Sequence, residues 1–192
     1  MLAQKSMRAA SFVPNAVVIL IALSACGDPE PVSQRLPSDP QGLCTTCGDC
    51  EEHFEVLTAR HVQGPVDYPD VPPVGGPHSG CWGTWGVHDT ELKTERWVHN
   101  LEHGGVVLLY NCENCAADIA KLAAFSSTHE RTLVTPYAAL PRRFAAVAWE
   151  YRLVTECLDL QAFETFYATR FDHGPESIEQ APDPLCAERP EL

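Results

Sequence analysis

Methionine is almost missing from this chain: there are two, Met1 and Met7, both at the very start. A carrier that surrounds Cu(I) with thioether sulfur is therefore excluded. Basic residues are scarce as well. Lys and Arg total 13 against 26 Asp and Glu, a formal net charge of -13 over 192 residues. Nucleic-acid binding needs a basic surface to neutralise phosphates, and this chain has no surplus of positive charge. The body of the chain also lacks an apolar run of about 18 residues or more, so a polytopic membrane protein is excluded. No internal repeat is visible. Hydrophobic residues make up 45% and charged residues 20%, the composition of a globular domain rather than a disordered chain.

What is plentiful is cysteine, with 9, histidine, with 8, and proline, with 16. Cysteines in such number fit an oxidising compartment, or else metal binding or redox chemistry in a reducing one. The N-terminus points to export. Lys5 and Arg8 form a positive start, Phe12–Leu23 is apolar apart from Pro14 and Asn15, and Leu23-Ser24-Ala25-Cys26 follows. A basic start and a short apolar stretch read as a secretion signal over residues 1–25. The Leu-Ser-Ala-Cys ending resembles a bacterial lipobox, which implies that Cys26 is lipidated and anchors the chain to a membrane. Acyl chains anchor firmly at about 0.8 kcal/mol per buried methylene. Without residues 1–25 the chain has 11 basic and 26 acidic side chains, a net charge of -15.

Eight cysteines remain: Cys44, Cys47, Cys50, Cys81, Cys112, Cys115, Cys157 and Cys186. An even number in an exported chain reads as disulfides, although spacing alone does not give the pairing. Cys112 and Cys115 are the natural local pair.

Residues 26–43 are rich in Gly, Pro, Ser, Asp and Gln and read as a flexible tether. A single α+β domain is expected over 44–177, and a Pro-rich acidic tail over 178–192. The domain begins with a tight Cys44–Cys50 knot, and residues 51–63 suit a short helix or strand. Residues 64–80 carry Pro65, Pro69, Pro72, Pro73, Pro77 and four glycines, so no regular element is expected there. Long loops of this kind in compact domains are usually functional, and Tyr68, Trp82 and Trp85 suggest that this one packs down. Beyond it the pattern predicts a buried strand at Val106–Tyr110 and a helix from Ala116 with Ile119, Leu122, Ala123 and Ser126 on one face. A strand at Thr132–Tyr137, a second over Phe144–Val154, and a helix over Leu158–Phe171 complete the order. Leu160, Phe163, Phe166 and Tyr167 mark the inner face of that last helix. The result is a mixed sheet in β-α-β-β-α order after a long Pro/Gly-rich loop, with helices on one face, stapled by disulfides.

Histidine carries the most specific chemistry. His78, His88, His99 and His103 fall close together in the chain. In His99-Asn100-Leu101-Glu102-His103 the imidazoles stand at i and i+4, so a helix would place them on one face, able to grip one metal. Gly104-Gly105 ends such a helix. His78, in the stiff Pro-Gly loop, supplies a third imidazole. His78, His99 and His103 are the expected metal ligands, with Glu102 behind them as a hydrogen-bond acceptor.

The stretches His61-Val62, Pro65-Val66-Asp67-Tyr68, Pro72–His78, Trp82, Gly86-Val87 and Val98–Gly104 resemble a bacterial family catalogued as a domain of unknown function. The likeness continues through Val106–Tyr110, Thr135-Pro136-Tyr137, Ala148-Trp149 and Gly174-Pro175-Glu176, and covers roughly residues 60–177. It implies an exported or membrane-tethered protein and supplies no activity. In many members of that family Tyr holds the place of His88, which counts against His88 as a ligand.

Several functional readings follow. In the first the protein binds copper or zinc through histidine, with Cys81 as a sulfur donor if it is not in a disulfide. In the second Cys112-Glu113-Asn114-Cys115, between a strand and a helix, acts as a thioredoxin-like thiol pair, with Thr135-Pro136 in the place of its cis-proline. A structural disulfide is the plainer account of that pair. In the third His99, Glu102 and His103 form an inverted zinc-peptidase motif, completed by Glu176 or Glu179. In the fourth the chain is a structural lipoprotein of the cell envelope with a protein partner. No residue is assigned a catalytic role.

Overall fold

The structure is a computed structural model and describes residues 31–176 together with Cys186. The predicted signal segment, Cys26, and the tail beyond Glu176 apart from Cys186 lie outside the described residues. Among the described residues nine strands and three helices run in chain order as β1 (Ser33–Arg35), β2 (Glu52–Val56), β3 (His61–Val62), β4 (His78–Ser79), β5 (Gly86–Val87), α1 (Thr94–Glu102), β6 (Val106–Tyr110), α2 (Ala116–Thr128), β7 (Thr132–Pro136), β8 (Phe144–Ala148), β9 (Tyr151–Thr155) and α3 (Leu160–Arg170). Seven strands form one mixed sheet in the order β1-β2-β9-β8-β6-β7-β5, and β3 and β4 form a separate small ladder. Strands β5, β7 and β6 are parallel, and the rest of the large sheet is antiparallel. The fold is therefore the α+β domain expected from the sequence. No helix among the described residues is long and apolar enough to cross a membrane.

The apolar run Val106–Tyr110 lies in the interior of this sheet, between β8 and β7, and is covered on both faces. Val107 and Leu109 pack with Trp97, Val98 and Leu101 of α1 and with Val74 of the Pro-Gly loop. Val106 and Leu108 pack with Leu122 and Phe125 of α2 and with Phe163 and Phe166 of α3. This corrects the expectation of helices on one face only. A strand with no polar alternation has two faces to bury, and α1 covers the second. Each fully buried Leu, Val or Phe here contributes about 1.5–3 kcal/mol.

Three further expectations are revised. Residues 144–154 form a hairpin rather than one strand, turning at Glu150, whose φ is 67°. No Gly or Asn marks that turn, so the sequence reads as continuous. Leu160 stays exposed while Phe163 and Phe166 carry the inner face of α3. The tether ends earlier than residue 43, because Ser33–Arg35 pairs antiparallel with β2.

All eight body cysteines are paired, as Cys44–Cys50, Cys47–Cys157, Cys81–Cys186 and Cys112–Cys115. The Cys47 and Cys81 bonds span 110 and 105 residues, and closing loops that long stabilises the fold by roughly 4–5 kcal/mol each on the chain-entropy account. The Pro-Gly loop is packed down as expected, with Pro72–Ser79 buried. The Val74 carbonyl accepts from the Glu150 amide at 2.8 Å, and the Pro77 carbonyl accepts from the Tyr68 hydroxyl at 2.6 Å.

Candidate metal centre

Two short-range devices set out the site. The first is α1, whose last turn carries His99 and Glu102 at i and i+3, with His103 as its C-cap. Gly104, at φ 71°, then turns the chain into β6, a conformation that suits glycine. The second is the β3–β4 ladder, in which His61 pairs with His78 in parallel register. Paired residues on neighbouring strands point to the same face, and the two imidazole rings stand 5.0 Å apart, edge to face.

Asn100 joins the loop to the helix. Its Oδ1 accepts from the Gly83 amide at 2.8 Å and its Nδ2 donates to the Gly83 carbonyl at 2.9 Å. This clamp holds Trp82 edge-on against His99 and His103, with ring centroids 5.0 and 4.3 Å away. The Arg96 guanidinium donates to the carbonyls of Trp82 and Cys186, tying the same loop to Cys186.

The polar atoms gather round Glu102. Its Oε2 lies 2.9 Å from His78 Nε2 and 3.9 Å from the Nε2 atoms of both His61 and His99. These four residues form a set whose ligand atoms all lie within 4.8 Å of one another, and they could hold a metal ion. His78, His99 and Glu102 are buried, while the His61 side chain is 58% exposed. Beside His61 opens a groove of about 280 Å³, lined also by Val62, Gln63, Ser79 and Cys81. Two larger hollows, of about 370 and 500 Å³, lie elsewhere, but their charges neutralise one another as Arg35 and Arg152 with Glu52 and as Arg170 with Glu51.

Protonation is largely set by backbone. His78 Nδ1 lies 2.7 Å from the Gly76 carbonyl, which can only accept, so Nδ1 carries the proton and Nε2 presents a lone pair when the ring is neutral. A ring N–H held by a carbonyl is the usual support of a metal-binding histidine. Although His78 Nε2 is 2.9 Å from Glu102 Oε2, the contact is not aligned as a hydrogen bond. Burial pushes the Glu102 carboxyl up, but contact with His78 and the neighbouring His78, His99 and His61 rings outweigh it and hold the carboxyl below its ordinary range. His99 is pushed down to about 3, first by burial and then by His78, His103 and His61, against the pull of Glu102. It is therefore a neutral imidazole at pH 7, the form that binds metal. Its Nδ1 is buried without a partner.

The expected ligands fare differently. His78 and His99 come together with ring centroids 4.8 Å apart. His103 stacks on His99 at 4.7 Å, with 2.9 Å between their Nε2 atoms, but it falls in a second set with Glu102 and Glu176. Glu102, expected behind the imidazoles, places an oxygen among them. His61 belongs to the gathered set and was not among the ligands expected from the sequence. Its signal was its place at the head of the motif, and only the ladder aligns it with His78. His88 is half-buried and bonds the Thr84 carbonyl at 2.8 Å. Cys81 is in a disulfide and offers no thiolate, which removes it as a sulfur donor.

The Cys112–Cys115 pair lies at the other end of β6, roughly 16 Å of strand from the histidines. Cys115 is buried as the N-cap of α2, and Cys112 is partly exposed. Among the described residues Val71–Pro72 is the one cis peptide, so Thr135–Pro136 is trans and does not supply the cis-proline of the thioredoxin-like reading.

Fold and site together define a disulfide-stapled α+β domain with a histidine-carboxylate cluster at the end of one helix. The chain belongs to the family described as a protein of unknown function, DUF3105, whose profile matches residues 61–183, well over half of the sequence. No curated protein and no solved structure matches the chain.

Proposed function

We propose that this protein is an exported, lipid-anchored protein whose domain binds one of the divalent transition metals copper or zinc through histidine. The observation that carries the reading is the gathering of three imidazole Nε2 atoms around Glu102 Oε2 at 2.9 and 3.9 Å. Metal–nitrogen bonds of about 2.0–2.1 Å would bring such atoms to roughly 3.3 Å apart, a contraction that side-chain rotation supplies. Imidazole with carboxylate suits Zn(II) and Cu(II), and the only methionines, Met1 and Met7, fall in the predicted signal, which argues against Cu(I). Export is supported by the basic-apolar start and the four disulfides, and lipidation by the Leu-Ser-Ala-Cys sequence.

The deciding experiment is metal analysis of the exported full-length chain and of a His78→Ala plus His99→Ala variant, each loaded with Zn(II) or Cu(II) and desalted. The wild type retains the ion and the variant, with its disulfides intact, does not. Wild type and variant equally empty would overturn the reading in favour of a structural envelope protein. Lipidation is read separately: Cys26→Ser moves the protein from the membrane fraction to the soluble one.

A further inference from the structure

We propose that the centre is dinuclear, with Glu102 bridging a first ion held by His61, His78 and His99 to a second held by His103 and Glu176. The inference rests on the metal-binding reading and adds a second ion to it. Its ground is that Glu102 belongs to two sets of donors, each with all its ligand atoms within 4.8 Å: one with His61, His78 and His99, the other with His103 and Glu176. A carboxylate has two oxygens and can face two ions at once, as in sites whose metals stand about 3.5–4 Å apart.

The segment that brings Glu176 in is built for close approach. The Asp172 amide donates to the Gly104 carbonyl at 2.9 Å and the Glu176 amide donates to the Glu102 carbonyl at 3.0 Å. A Cβ on Gly174 would collide with the Glu102 carbonyl and the Gly104 amide, and a Cβ on Gly104 would fall 2.9 Å from the Asp172 Cα. The two glycines thus let backbone lie on backbone at the end of α1. Capping the helix needs only the backbone of residues 172–176. It gives no reason for a carboxylate side chain within reach of Glu102 and His103.

His103 is oriented for the same role. Its Nδ1 donates to the Glu176 carbonyl at 2.8 Å, which leaves Nε2 as the ring's lone pair. That lone pair faces His99 Nε2 at 2.9 Å, so in the metal-free chain a single proton lies between the two nitrogens. Metal binding moves that proton to His99 Nδ1, which has no other partner, so that each Nε2 offers its lone pair to an ion. Glu176 is exposed, so the second ion has three protein donors and keeps positions open to solvent, the ligand count of zinc sites that activate water.

The test is stoichiometry on the purified full-length chain titrated with Zn(II) alone, with Cu(II) in parallel for electron paramagnetic resonance. The wild type takes up two ions per chain, and its Cu(II) signal shows two coupled centres. Glu176→Ala, which keeps the backbone carbonyl that holds His103, takes up one ion and gives an isolated Cu(II) spectrum. A wild type that binds one ion overturns the second site and leaves the first. A wild type that binds none overturns both readings. Two ions bound with unchanged affinity in Glu176→Ala would also overturn the assignment.

Discussion

His61 and His78 are register partners in a parallel ladder of two residues per strand, and this pairing carries the exposed half of the cluster to its buried half. The His61 side chain is 58% exposed, and that of His78 is fully buried. The two should therefore contribute differently. His78→Ala removes a donor whose proton is already placed by Gly76, and metal retention should be lost. His61→Ala removes the solvent-facing donor and should weaken affinity about tenfold or more, roughly 1.4 kcal/mol, while faster release to a chelator accompanies it. Equal effects of the two substitutions would contradict this division.

Asn100 holds the loop that carries Trp82. Asn100→Ala leaves the Gly83 amide and carbonyl buried without partners, at a cost of roughly 2–4 kcal/mol. Urea unfolding followed by tryptophan fluorescence measures it. A change below about 1 kcal/mol would mean that water or a shifted loop replaces the clamp.

Acid should destabilise the metal-free protein through His99. The unfolded chain takes up a proton near the ordinary value of 6.5, whereas the folded site refuses it until about 3. Between those values the unfolded state holds more protons, so stability falls as pH falls, by roughly 2–3 kcal/mol at pH 4.5 from this group. The depressed Glu102 carboxyl pulls in the same direction. Urea midpoints of chelator-treated protein at pH 7 and pH 4.5 give the slope. A His99→Gln variant with the same slope would show that His99 is not its source.

The Cys112–Cys115 bond is expected to staple the β6–α2 junction. Cys112→Ser plus Cys115→Ser should cost about 2 kcal/mol, the loop-closure value for so short a ring, and leave metal content unchanged. Insulin reduction by the wild type that vanishes in the variant would instead make the pair a working thiol couple.

The α+β class, the central strand Val106–Tyr110, the two helices after it and the bonded state of the cysteines were all legible in the residues. Each depends on local periodicity or on composition. Helical contacts recur at i+3 and i+4, so His99, Glu102 and His103 share one end of α1 whatever the rest of the chain does. The hairpin at Glu150 was not legible, because its positive φ is held by β8 and β9 rather than by a turn residue. Placing α1 across the sheet from α2 and α3 likewise depended on which faces remained to be covered.

The partners of that helix end were decided by tertiary structure. His61 reaches the cluster through strand register, and Glu176 through contact between the backbones around Gly104 and Gly174. Register and close backbone approach join residues far apart in the chain, and no local pattern encodes which stretch will lie beside which. The sequence alone therefore determined a histidine pair and a carboxylate on one helical turn. Only the folded chain determined that Glu102 stands among the imidazoles, that His61 completes the set, and that His103 turns toward Glu176.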